Sequence, residues 1–123
     1  PIADMNIYLP NDGTKARWFG RVFLNPPYTT VECDRWLRLM VLHGRGTALI
    51  FARTETRWFF KHIWNEATAI LFIEGRLHFH HTNGIRAKAN SGAPSCLVAY
   101  GKEDAEILKH CGIKGKFIQL KTP

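Results

Sequence analysis

The tetrapeptide Asn25-Pro26-Pro27-Tyr28 brings together residue types that could act on an exocyclic amine of a base. Such an amine is a poor nucleophile because its lone pair is delocalised into the ring. An Asn carboxamide oxygen and a rigid backbone carbonyl can accept its two hydrogens and localise that lone pair towards an electrophilic methyl. Proline fixes φ, so the carbonyl is oriented before the amine arrives. The ring of Tyr28 can stack on a base taken out of a duplex. A bare Asn-Pro-Pro-Tyr match reads more readily as a strand-ending turn with a packed Tyr. Its placement after Val22-Phe23-Leu24 and before a helical pattern shifts the balance towards chemistry.

The surrounding pattern supplies elements to hold this loop. Residues 21 to 24 form a short apolar run that must stop at the prolines, which cannot donate to a sheet ladder. From Thr30 to Leu42 the residues Val31, Trp36, Leu37, Met40 and Val41 recur at helical spacing. Thr29 or Thr30 offers an N-cap, Glu32 suits the positive end of the helix dipole, and Gly44 and Gly46 stop the helix. Thr47 to Phe51 reads as a buried strand. Glu55 to Asn65 reads as a second helix, capped by Thr54 or Thr56. Thr68 to Ile73, Cys96 to Tyr100 and Lys116 to Leu120 read as further strands, with a short helix over Lys102 to Cys111. Between Glu74 and Ser95 lies a long Gly-rich loop with room for a hairpin at Leu77 to His80; loops of that length are usually functional or disordered. Alternating strands and helices predict an α/β sheet with helices on its faces, in one domain spanning residues 1–123. In such a sheet ligands sit outside the carboxyl ends of the strands, where Asn25 lies.

Composition narrows the partners. Seventeen Lys and Arg against ten Asp and Glu give a net charge of +7, which favours polyanions such as nucleic acid. No stretch approaches the roughly 20 apolar residues of a membrane span. Cys33, Cys96 and Cys111 are odd in number and widely spaced, a pattern that fits neither a disulfide framework nor a zinc knuckle and suits a cytoplasmic protein. The chain starts at Pro1 without Met, as a processed chain or a piece of a longer protein would.

Four blocks together resemble one family. Trp18-Phe19-Gly20-Arg21-Val22-Phe23-Leu24-Asn25-Pro26-Pro27-Tyr28, Ala52-Arg53-Thr54-Glu55-Thr56-Arg57-Trp58-Phe59, Gly75-Arg76-Leu77-His78-Phe79 and Gly92-Ala93-Pro94-Ser95 resemble, in that order, the phage-type DNA N6-adenine methyltransferase (Dam) family. The resemblance implies a partial class I methyltransferase (Rossmann-like) sheet, S-adenosyl-L-methionine as methyl donor and adenine in double-stranded DNA as acceptor. It implies a cytoplasmic setting in a bacterium or a phage-infected host. It gives Asn25, Pro26, Pro27 and Tyr28 the catalytic role, with Asn25 and Pro26 also touching the cofactor. The family's upstream cofactor motif, a strand with an acidic turn, has no counterpart in residues 1 to 20, where Asp12-Gly13 reads as a turn only. The alternative reading is therefore a non-catalytic DNA-binding module or degenerate prophage remnant of the same fold.

Further candidates surround the loop. Arg53, Arg57, Arg76, Arg86 and Lys88 stand at strand ends or in the long loop and can contact phosphates or simply be solvated. Phe79 can wall the flipped adenine or belong to the core. His78, His80 and His81 lack nearby Cys or carboxylate partners, so no metal site is expected. Trp36, Trp58, Phe59 and Trp64 read as helix-packing residues, and Cys33 and Cys96 as core. A shortened sheet would leave an edge or face open to self-association.

Overall fold

Strand β2, Val22–Asn25, ends where the prolines begin, and helix α1, Thr30–His43, follows after a few residues. The structure, a computed structural model, describes residues 5–8, 18–27, 29–75, 78–80, 86–90 and 93–121. Thr29 is the N-cap of α1, its side-chain oxygen accepting from the Glu32 N–H at 3.3 Å. Gly44 closes the helix in the left-handed conformation, φ 77°, its N–H donating to Met40 O at 2.8 Å. Cys33, Trp36, Leu37 and Met40 are buried on one stripe of this helix, the spacing of a single core-facing side.

Strand β3, Gly46–Phe51, runs parallel to β2, with Val22 opposite Gly46. A Cβ at position 46 would stand 2.1 Å from Val22 O, so glycine there lets the two backbones approach. A short helix α2, Arg57–Phe59, continues into a π-helical turn, Phe60–Trp64. Strands β4 (Ala69–Ile73), β5 (His78–His80), β6 (Arg86–Asn90) and β7 (Ser95–Tyr100) follow, then α3 (Lys102–Lys109) and β8 (Gly115–Gln119). The strand β1, Met5–Tyr8, precedes them all and pairs in parallel with β2, Tyr8 opposite Asn25.

Six strands make one mixed sheet in the order β1-β2-β3-β7-β4-β8, and β5 and β6 make a separate hairpin. Strands β1, β2 and β3 are mutually parallel. Strand β7 is antiparallel to both β3 and β4, so β4 runs in the direction of β3. Strand β8 is antiparallel to β4 at the edge. All six residues of β7 are buried, as expected of a central strand covered on both faces.

Alternation sorts the strand residues onto two faces. Val22, Leu24, Ala48, Ile50, Ile70, Cys96 and Val98 pack with Trp36, Leu37, Met40, Trp58, Phe59 and Ile63 beneath α1 and α2. On the opposite face Ala69, Leu71, Leu97 and Ala99 pack with Ala105 and Leu108 of α3. Arg21 joins that helix to the sheet. Its Nε donates to Asp104 Oδ1 at 2.8 Å and its Nη2 to Oδ2 at 3.2 Å, while the Thr47 hydroxyl donates to Oδ2 at 2.7 Å.

The α/β class is as the sequence indicates, with three differences, the first being that Arg86–Asn90 is a strand in what reads as a loop. A strand exists within residues 1 to 20, where none is expected; four residues including an Asn make too short a run to stand out by periodicity. The second helix is shorter than Glu55 to Asn65 and changes to π geometry at Phe60. There the Asn65 N–H reaches back five residues to Phe60 O at 3.1 Å. Among the described residues no helix is long and apolar enough to cross a membrane.

Candidate functional site

Strands β2, β3 and β4 point the same way, so their carboxyl ends share one edge of the sheet. Asn25-Pro26-Pro27 leaves β2 there, Ala52 to Thr56 leaves β3, and Glu74-Gly75 leaves β4. Antiparallel β7 enters at the same edge, Ser95 standing opposite Phe51 and Cys96 opposite Phe72. The Ala52 N–H donates to Pro94 O at 2.8 Å, tying the segment before β7 to the segment after β3. Described residues from four blocks scattered along the chain thus meet at the one edge where an α/β sheet takes ligands.

Within the tetrapeptide, Asn25 and Pro27 are half-buried and Pro26 is buried. The Cys33 thiol donates to Pro27 O at 3.4 Å, linking the loop to the first turn of α1. Burial, with a smaller contribution from the Glu32 charge, pushes the Cys33 thiol up to about 11, so at neutral pH it is a protonated donor and not a thiolate. Tyr28, Arg76 and His81 lie outside the described residues, as do the side chains of His78, Phe79, His80, Arg86 and Lys88.

The turn after β3 is tightly made. The Arg53 N–H donates to Phe51 O at 2.9 Å, and the Thr56 hydroxyl donates to Arg53 O at 2.7 Å. Thr56 also caps α2, its side-chain oxygen accepting from the Phe59 N–H at 3.4 Å. The indole N–H of Trp64 donates to Thr54 O at 3.1 Å. Arg53 is exposed, its guanidinium carbon 5.8 Å from the centroid of the Phe51 ring, within cation–π range. Trp36, Trp58 and Phe59 are buried, as a packing role requires, and so are Cys33 and Cys96.

Between the start of α1 and the start of α2 lies an open groove of about 610 Å³, lined by Thr30, Val31, Asp34, Thr56, Arg57, Trp58 and Lys61. Both helix starts follow carboxyl strand ends, so the groove belongs to the same edge as Asn25. Arg57 brings its charge there, as its position after a strand foretells, and Lys61 adds a second. Lys61, Asp34 and His62 are not among the residues that the sequence singles out. His62 Nε2 lies 2.9 Å from Asp34 Oδ1, a contact between residues on different helices that no local spacing announces.

A second cavity, of about 440 Å³, opens on the far face of the sheet among Phe23, Leu49, Ile73, Leu97 and Ile107. It is almost wholly apolar and lies on the face covered by α3, opposite the face that carries α1 and α2. Among the described residues no group of three His, Cys, Asp or Glu is placed to hold a metal ion.

For a nucleoside cofactor the described residues offer a partial fit. Of the two positions expected to touch it, Asn25 is accessible and Pro26, buried and without an N–H, is not. The residues beyond the carboxyl end of β1, including Asp12, lie outside the described ones. Compared with protein-family models, with curated proteins and with solved structures, the chain matches none of them.

Proposed function

We propose that this chain carries the acceptor half of a DNA adenine-N6 methyltransferase. The supporting observation is convergence: described residues of the four sequence blocks that resemble the phage-type family meet at a single carboxyl edge of the sheet. A mixed sheet in which one reversed strand sits between two that share a direction is compatible with a Rossmann-like enzyme.

In this reading the Asn25 carboxamide oxygen and a backbone carbonyl of the Pro26-Pro27 pair accept the two N6 hydrogens of an extruded adenine. Pro27 O already accepts from the Cys33 thiol, a weak donor that leaves its second lone pair open. Both acceptors are held in advance, Asn25 by the end of β2 and the carbonyl by two proline rings, so little reorganisation accompanies charge development on N6. Tyr28 stacks on the base, and Arg53 and Arg57 hold the neighbouring phosphates. S-adenosyl-L-methionine supplies the methyl group.

The direct assay is transfer of labelled methyl from S-adenosyl-L-methionine to duplex DNA, followed by nucleoside analysis for N6-methyladenine. Label in N6-methyladenine supports the proposal. The partial cofactor fit favours one second reading, a DNA-binding module that has lost the donor side. A folded sample that binds DNA, gives no heat with S-adenosyl-L-methionine and transfers no label would establish that second reading.

A further inference from the structure

The groove between α1 and α2 holds one pinned carboxylate among cations. Asp34 is 49% exposed at its side chain, whereas His62 behind it is 4% exposed. A carboxylate only accepts, so His62 Nε2 carries the proton and donates to Asp34 Oδ1 at 2.9 Å. Asp34 Oδ2 makes no hydrogen bond among the described residues. The His62 backbone is itself held from the core. The Tyr100 hydroxyl donates to the His62 carbonyl at 2.6 Å, and the π turn adds a residue so that His62 and Ile63 are both buried. Such π insertions recur at functional sites. The His62–Asp34 bond fixes one carboxylate oxygen in a groove whose other charged residues, Arg57 and Lys61, are cations.

Arg57 and Lys61 stand four residues apart along the same wall, the spacing that puts two side chains on one side of a helix. Cations so placed suit the successive phosphates of a nucleic-acid strand. A fixed carboxylate beside such a strand is repelled by phosphate and is satisfied only by a donor. On bases that donor is an exocyclic amine, and the pairing of an Asp or Glu with cytosine N4 is a standard one. Thymine presents O4 at the same place, an acceptor that the carboxylate would meet without a hydrogen.

We infer that Asp34 is a specificity-determining residue that reads an amine-bearing base, cytosine above thymine, in the DNA strand lying along the α1–α2 groove. The inference rests on the DNA-binding part of the proposed function and adds the base preference.

Cytosine and thymine differ little in shape, so equal-length fluorescent oligodeoxycytidine and oligothymidine isolate this contact in an anisotropy titration. The intact chain should bind the cytosine strand about tenfold more tightly, the scale of one good base contact. Asp34→Asn should erase or invert the preference, since a carboxamide can donate to thymine O4. Arg57→Ala should weaken both strands by a similar factor and leave their ratio intact. Binding of both strands with equal affinity, or an unchanged ratio in Asp34→Asn, overturns the inference and leaves the methyltransferase proposal standing. Failure of a folded sample to bind either strand overturns the inference, and the same sample titrated with duplex DNA shows whether the DNA-binding reading falls with it.

Discussion

The Cys33 thiol of α1 lies 3.4 Å from the Pro27 carbonyl, so a residue of the helix fixes the loop that should hold the acceptor base. Position matters more here than bond strength, because a thiol is a weak donor. Cys33→Val fills a similar volume and removes the donor. Methyl transfer should fall about tenfold, a cost expected of a small displacement of acceptor groups. DNA affinity, measured by anisotropy, should stay close to that of the parent. Equal losses in both would make Cys33 a folding residue only.

Arg21 and Asp104 join β2 to α3 through a two-point contact, with the Thr47 hydroxyl on the same carboxylate. Asp104 is buried. Removing one partner of such a pair leaves a charge without its counterpart in a poorly hydrated place. Asp104→Ala should therefore lower the free energy of unfolding by about 3 kcal/mol, read from urea titrations. An unchanged midpoint would show that water replaces the lost carboxylate.

The thiols predict a pH response. Burial pushes Cys96 up to about 12, and burial with the Glu32 charge pushes Cys33 up to about 11, from an ordinary value of 9.0. Raised folded values mean that above pH 9 the unfolded chain loses thiol protons that the folded chain keeps. Stability from these groups is full below about 9 and is lost as pH rises through 11 to 12. The slope should be about 1 kcal/mol per pH unit for each thiol. Chemical denaturation across that range should show the fall, and a Cys33→Val, Cys96→Val double variant should lessen it, leaving the part above pH 10 that comes from the Tyr100 hydroxyl, also pushed up by burial. At neutral pH a thiol reagent should react quickly with exposed Cys111 alone and with Cys33 and Cys96 only on unfolding.

Phosphate contact by Arg57 carries its own signature. The logarithm of DNA affinity should fall linearly with the logarithm of salt, and Arg57→Ala should reduce that slope by about 1. A slope that does not change would return Arg57 to the solvated surface.

Much of the fold was legible because its signals are local. Thr29, Glu32 and Gly44 mark α1 at both ends, and the prolines after Asn25 stop β2 where they must. Cys96 to Tyr100 reads as an apolar run and is a fully covered central strand. What escaped depends on partners distant in sequence. Strand β1 is recognisable by its pairing with β2, and β7 takes its place between β3 and β4 by a reversal that no periodicity encodes. The π turn follows from tertiary packing of His62 and Ile63, since helical patterning alone predicts a regular helix there. At the site, Asn25 and Arg57 were legible as strand-end residues of suitable chemistry. Asp34 and His62 come together across two helices, 28 positions apart, and neither carries a motif.

Asn25→Ala tests the acceptor role most directly. With labelled S-adenosyl-L-methionine and duplex DNA, N6-methyladenine formation should be lost in the variant, while anisotropy shows DNA affinity close to that of the parent. Methylation by Asn25→Ala at the parental rate would contradict the assignment of the β2 edge as the place where the adenine amine is held.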